Sequence, residues 1–300
     1  MSIFQGLSAF PITPADASGR IDTAALARLL MRIAEAGADS IGLLGSTGAY
    51  AFLTREERRR VVETAMDTVG GKIPVIVGVG AIRTNDAVAL ARDAKAAGAN
   101  GLLLAPVSYT PLFDDEVFGH FAAVANAGQM PMCIYNNPST TKFTFSPALI
   151  SRLSEVANIV AVKMPVPSGG DFGSELASLR SITGPAFRIG YSGDWGGAPS
   201  LLAGGDTWFS VVAGLLPLQA LALTRAAQAG DTVTVERLGA AFGPLWALFK
   251  EFGSFRVMYA IAKVLNLCDI DPPRPVLPLS DEVRPRVVAA LDCLNDGFSN

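Results

Sequence analysis

Histidine is almost missing from this chain: His120, within Val117-Phe118-Gly119-His120-Phe121, is the only one in 300 residues. A lone imidazole leaves no multi-histidine metal site within one chain and argues against a histidine triad, so His120 reads as a helix-face residue. The three cysteines, Cys133, Cys268 and Cys293, are odd in number and far apart, which speaks against a disulfide framework and against a zinc site; no metal is expected. The net charge is -3, and the one run of basic residues, Arg58-Arg59-Arg60, shares its segment with Glu56, Glu57 and Glu63 and reads as a solvated helix face. Neither nucleic acid nor a membrane surface is an expected partner. No apolar run is long enough to span a bilayer, and Met1-Ser2-Ile3-Phe4-Gln5-Gly6 lacks the pattern of a secretory leader, so a cytoplasmic location is the expectation. A dinucleotide-binding glycine loop is also missing, since Gly78-Val79-Gly80 lacks the third glycine and reads as a strand-end turn.

What the chain does have is apolar sequence in a regular order. It is 50% hydrophobic and only 17% charged, enough for a large buried core. Glu35-Ala36-Gly37-Ala38-Asp39-Ser40-Ile41-Gly42-Leu43-Leu44 is echoed by Ala96-Ala97-Gly98-Ala99-Asn100-Gly101-Leu102-Leu103-Leu104: a helix end, a glycine cap, a polar residue and a buried strand. Looser echoes begin at Ala127-Gly128-Gln129 and at Ala203-Gly204-Gly205-Asp206. Apolar runs bounded by turn residues predict strands near 7–10, 41–45, 74–79, 101–105, 131–135, 158–163, 187–191 and 207–212. Eight strands alternating with amphipathic helices predict an α/β fold, a parallel (β/α)8 TIM barrel over residues 1–225. Beyond Leu216-Pro217 the pattern turns helical, near 217–229, 231–250, 254–267 and 280–295, which predicts a C-terminal helical extension over 226–300. Its aromatic residues Phe242, Trp246, Phe249, Phe252 and Phe255 recur at helical spacing and read as packing or subunit contact.

Among the six lysines, Lys163 alone ends an apolar stretch, Asn158-Ile159-Val160-Ala161-Val162. Burial disfavours a charged amine, and a neutral amine attacks carbonyls to form a Schiff base; a lysine whose head escapes to solvent at a strand end explains the fragment equally well. In such a barrel the chemistry sits where the strands end, which draws attention to Gly45-Ser46-Thr47-Gly48, Tyr135-Asn136-Asn137-Pro138, Lys163 and Ser192-Gly193-Asp194. Period-two alternation puts Ile159, Ala161 and Lys163 on one strand face and Cys133 and Tyr135 on one face of the strand before it. If both faces point inward, amine and phenol meet, and a phenol there shuttles protons as a carbinolamine collapses. Ser46, Thr47 and Gly48 offer hydroxyls and backbone N–H groups to a carboxylate, with Thr47 extending a hydroxyl chain toward Tyr135, although Gly-Ser-Thr-Gly is also an ordinary turn.

Together these residues resemble the family of dihydrodipicolinate synthase and N-acetylneuraminate lyase, pyruvate-using class I aldolases on a (β/α)8 barrel with a C-terminal helical extension. The resemblance runs along nearly the whole chain. It is carried by Gly45-Ser46-Thr47-Gly48, by Leu53-Thr54-Arg55-Glu56-Glu57-Arg58, by Tyr135-Asn136-Asn137-Pro138, which matches Tyr-Asn-x-Pro, and by Lys163. It implies that Lys163 condenses with the keto carbon of pyruvate or another 2-keto acid, that Tyr135 relays protons, and that Ser46 and Thr47 hold the keto-acid carboxylate. No separate cofactor is implied, since the substrate is held covalently. The implied partners are the keto acid, an aldehyde, and further copies of the chain in a homodimer or homotetramer.

Three departures from the family stand out. Ala49 replaces the loop glutamate, so that loop must find its support elsewhere. Thr140 follows Ser139 where synthases carry the arginine that grips the carboxylate of the aldehyde substrate, and a neutral side chain cannot replace a bidentate guanidinium. Pro106-Val107-Ser108-Tyr109 stands for Pro-Tyr-Tyr, leaving Tyr109 as the candidate for the relay tyrosine that family members share with a neighbouring subunit. Ala81-Ile82-Arg83 also lacks the asparagine of many lysine-inhibited synthases. The expectation is a related Schiff-base aldolase or lyase with a different electrophile. The alternatives are dihydrodipicolinate synthase proper and a catalytically silent barrel that binds a keto acid.

Overall fold

The computed structural model describes residues 2–299. Eight short strands form a closed barrel in chain order, every neighbouring pair parallel: β1 (Gly6–Ala9), β2 (Ser40–Leu43), β3 (Val75–Gly78), β4 (Gly101–Leu104), β5 (Met132–Tyr135), β6 (Ile159–Met164), β7 (Arg188–Tyr191) and β8 (Thr207–Ser210). Between them run α1 (Thr23–Ala36), α2 (Arg55–Val69), α3 (Thr84–Ala96), α4 (Asp114–Gly128), the short α5 (Pro138–Thr141) with α6 (Pro147–Ser154), α7 (Phe172–Ile182) and α8 (Gly197–Leu202). The predicted barrel is present, with β1 and β6 of the predicted length but shifted by one residue and the other six strands a little shorter than their apolar runs. Leu44 shows why: its φ of +54° takes the backbone out of extended geometry one residue after β2.

The polar residue of the repeated phrase closes the bottom of the barrel. Asp39, before β2, accepts the Leu7 N–H of β1 at 2.7 Å. Asn100, before β4, accepts the Val75 N–H of β3 at 2.8 Å, and Asp206, before β8, accepts the Ile189 N–H of β7 at 2.9 Å. Each side chain thus satisfies the first free donor of the preceding strand, a group that burial would otherwise leave costly.

Side chains on the two faces of the sheet form separate cores. Leu7, Ile41, Val75, Leu102, Met132, Ile159, Val162 and Ile189 face the helices in the larger one. Phe4, Phe10, Ile76, Leu103, Cys133, Tyr135, Ala161 and Phe209 fill the barrel interior. Ile159 therefore does not share a face with Ala161 and Lys163, as strict alternation predicts. The register runs Met132 to Ile159 but Cys133 to Ala161, so β6 carries one extra residue, Val160, which packs toward the interior. This irregularity reverses the alternation once. Without it Tyr135 would stand beside Val162; with it Tyr135 is paired with Lys163.

After β8 come α9 (Pro217–Gln228), α10 (Thr232–Phe252), α11 (Ser254–Val264) and α12 (Arg284–Ser299). The sequence-derived limit at residue 225 lies within α9, which packs on α1 and β1 as well as α10. Phe242 and Trp246 stack with centroids 4.7 Å apart, and Phe255 stacks on Phe52 of the barrel at 6.2 Å, so the aromatic stripe packs within the chain. Among the described residues no helix is long and apolar enough to cross a membrane.

Candidate active site

Lys163 and Tyr135 are register partners at the mouth ends of β6 and β5, and both are buried. The lysine Nζ lies 4.1 Å from the Tyr135 ring centroid, 4.4 Å from that of Phe10 and 5.6 Å from that of Phe209. An amine so placed cannot be the solvent-escaping lysine that the sequence left open. Three aromatic faces surround it.

The Tyr135 hydroxyl has two polar neighbours. Ser46 Oγ is 3.3 Å away, and Asn137 Nδ2 donates to the phenol oxygen at 3.0 Å. The hydroxyl meeting Tyr135 is thus that of Ser46 rather than of Thr47, which is buried beside it in the loop. Two glycines shape that loop. A Cβ on Gly45 would come within 2.7 Å of the Phe10 ring, and one on Gly48 within 2.9 Å of the Leu44 backbone N. Both positions therefore require glycine for space, which lets the chain fold back tightly over Phe10.

Beside the loop, the end of β3 is braced by a residue the sequence reading assigned to solvent. Arg58 is only 5% exposed and donates to the Gly78 carbonyl at 2.8 Å and to the Gly80 carbonyl at 3.0 Å. It lies on the inward stripe of α2 with Val61, Val62 and Ala65, a placement set by the 3.6-residue period despite its charge. Its guanidinium lies 5.4 Å from the centroid of the Tyr50 ring. Burial pushes Arg58 down to about 10, opposed by Tyr50, leaving it a cation at neutral pH. Burial and the neighbouring Tyr135 push Tyr50 up to about 12, with Arg58 opposing. Thr13 adds a hydrogen bond to the Gly48 carbonyl at 2.8 Å.

Asp194, beyond β7, is 3% exposed and accepts Ser210 Oγ at 2.7 Å, the Val212 N–H at 3.2 Å and the Val211 N–H at 3.3 Å. It thereby ties the end of β7 to the end of β8. Burial raises its carboxyl to about 6, opposed by these hydrogen bonds and by the charge of Lys163.

Two sequence candidates lie apart from this cluster. Tyr109 is 94% exposed, on the loop before α4. Thr140 is exposed in α5, where its hydroxyl bonds the Asn137 carbonyl at 3.3 Å. His120 lies on the buried face of α4; its Nδ1 pairs with Thr84 Oγ1 at 3.0 Å, and burial lowers its pKa. In the sequence Asn137 stands out only as part of the Tyr135–Pro138 segment, because asparagine before proline reads as turn chemistry, and its bond to the Tyr135 hydroxyl is the contact that sequence reasoning missed. Two wide clefts, near Arg256–Arg284 and between residues 13–24 and 269–274, are not lined by Lys163, so side-chain chemistry rather than volume marks the site. Among the described residues no group of three or more metal-binding side chains comes together.

A closed parallel barrel with a buried lysine at the end of its sixth strand and a phenol beside it defines a class, the lysine-dependent aldolases. The chain matches the model of the dihydrodipicolinate synthetase family over residues 3–294 and belongs to that family. Its enzymes hold pyruvate as a Schiff base on a lysine and need no added cofactor, and their chemistry is that of pyruvate-dependent, aldolase-like lyases. The chain is 34% identical over 278 residues to the 4-hydroxy-tetrahydrodipicolinate synthase of Alcanivorax borkumensis, covering 92% of each. The crystal structure of dihydrodipicolinate synthase from Agrobacterium tumefaciens is similar at a TM-score of 0.96 and 58% identity, over 97% of this chain and 98% of that one. A putative dihydrodipicolinate synthetase from Pseudomonas aeruginosa follows at 0.90 and 30%, over 97% and 99%.

Proposed function

We propose that this protein is a cytoplasmic class I aldolase or lyase that forms an imine between Lys163 and pyruvate or a related 2-keto acid. The single observation behind this reading is the pairing of Lys163 with Tyr135 inside a ring of aromatic faces. In the proposed sequence Nζ adds to the keto carbon, and water leaves the carbinolamine with a proton relayed by Tyr135. The iminium then draws electrons from the adjacent C–H bond. Loss of that proton gives an enamine, whose carbon adds to an aldehyde; hydrolysis frees the product and the lysine. Cleavage of a longer keto acid is the same path reversed. Ser46, Thr47 and Gly48 hold the keto-acid carboxylate, and Thr47 is proposed to lengthen the hydroxyl chain behind Ser46. The test is borohydride reduction in the presence of pyruvate, which should fix a reduced pyruvyl group on the peptide carrying Lys163. No adduct with any 2-keto acid would falsify the reading.

The electrophile is proposed to differ from aspartate semialdehyde. The loop from Asn136 to Ser146 contains one cation, Lys142, whose Nζ is held on the Ser139 carbonyl at 2.9 Å. Thr140 and Tyr109 are proposed to meet the second substrate, Tyr109 from the mouth of a neighbouring subunit in a homodimer or homotetramer. Residues 1–225 would then act as the catalytic barrel and 226–300 as the helical extension. A second reading, dihydrodipicolinate synthase itself, is favoured by the names of the relatives. Condensation of pyruvate with aspartate semialdehyde at a rate matching the best aldehyde in a panel decides for it.

A further inference from the structure

An asparagine at a helix N-cap ordinarily accepts the N–H of the second or third helical residue through its side-chain oxygen. Asn137 occupies the N-cap of α5 and makes no such bond. Its backbone carbonyl holds the turn instead, accepting the Thr141 N–H at 3.0 Å and the Thr140 N–H at 3.1 Å. The side chain turns back toward the strand it has just left. Its Oδ1 accepts Ser139 Oγ at 2.8 Å while its Nδ2 donates to the Tyr135 hydroxyl at 3.0 Å.

An N–H on the phenol oxygen has two consequences. It occupies a lone pair, so the phenol's own hydrogen is directed to its other neighbour, Ser46 Oγ at 3.3 Å, or to a substrate atom taking that place. It also strengthens as the phenol gives up its proton, because a hydrogen bond to an ionised oxygen is roughly twice as strong as one between neutral groups. The amide neither takes nor releases a proton itself. We infer that Asn137 is a positioning residue that sets the direction of proton transfer through Tyr135 and stabilises the phenolate formed on transfer. The inference rests on the proposed role of Tyr135 in imine chemistry.

The test follows the exchange of pyruvate methyl hydrogens with deuterium oxide by proton NMR, which reports enamine formation without any second substrate. N137A should slow saturated exchange about 10- to 100-fold, with half-saturating pyruvate changed less than about threefold and the borohydride end point on Lys163 unchanged. N137D, which has the same shape but accepts rather than donates, should be slower than N137A. Both variants keep the backbone carbonyl that holds α5, and unchanged thermal unfolding would confirm an intact fold. Added to Y135F, N137A should produce no further loss, since its effect passes through that phenol. Wild-type exchange in N137A and N137D, or an equal N137A loss with and without the Tyr135 hydroxyl, overturns the inference. Wild-type protein that neither exchanges nor traps pyruvate overturns the imine reading and the inference with it; a wild type that does both, alongside insensitive Asn137 variants, overturns the inference alone.

Discussion

Tyr135 and Lys163 lie side by side on adjacent strands only because β6 carries Val160 as an extra residue ahead of them. That relationship puts amine and phenol on the same face of the barrel, where neither could be replaced by a neighbour on its own strand.

The first prediction concerns the amine itself. K163A and K163R should give no borohydride adduct with pyruvate and no methyl-hydrogen exchange, because a methyl group is no nucleophile and a guanidinium stays protonated. Mass analysis of the reduced protein checks this directly; adduct retained on another lysine in K163A would move the chemistry elsewhere.

Ser46 and Thr47 should separate kinetically. Loss of the Ser46 hydroxyl, 3.3 Å from Tyr135, should lower kcat about tenfold and also raise KM for the keto acid, since the same hydroxyl is proposed to hold the carboxylate. T47A should chiefly raise KM, as expected when a ground-state contact to the carboxylate is lost. Steady-state kinetics of the two variants with one keto acid decides between these patterns.

Asp194 makes stability depend on pH in a defined direction. Its folded-state value, raised by burial to about 6 from 3.8, means that the folded chain keeps a proton that the unfolded chain releases. The associated stability is whole below about pH 4 and is lost as pH rises to about 6. D194N has no such proton, so its denaturant midpoint should gain on the wild type across that window, by about 2–3 kcal/mol at most, and hold steady above it. A constant difference from acid to neutral pH would contradict this assignment.

Arg58 should be costly to remove although it touches no substrate. R58A leaves the Gly78 and Gly80 carbonyls without their donor and opens a hole beneath Tyr50. A loss of about 2–4 kcal/mol in chemical denaturation is expected. R58K should fall between, since one ammonium spans the two carbonyls poorly.

Much of the architecture could be read from local pattern. Short apolar runs between glycine caps are enough to reveal eight buried parallel strands, and Gly37-Ala38-Asp39 already contains the cap and the carboxylate that accepts the Leu7 N–H. The pairing of Lys163 with Tyr135 was legible too, but through an argument that succeeds for a different reason. Strict alternation also put Ile159 on the inner face, and the extra residue beside it leaves no mark in a run of β-branched and small side chains. Arg58 was misread because a charge run suggests solvent, whereas helical period and two free carbonyls decide its place. The contact of Asn137 with Tyr135 escaped notice because it depends on side-chain direction, which sequence spacing does not encode.

The aromatic walls around Lys163 have a consequence for the whole proposed cycle. Three π faces lie within 5.6 Å of the nitrogen, and they favour the positive charge that it carries as an iminium. They offer less to the enamine, the species that attacks the aldehyde. The pocket thus makes a resting place of the iminium and leaves the enamine exposed on higher ground, so that this nucleophile tends to be consumed soon after it is made.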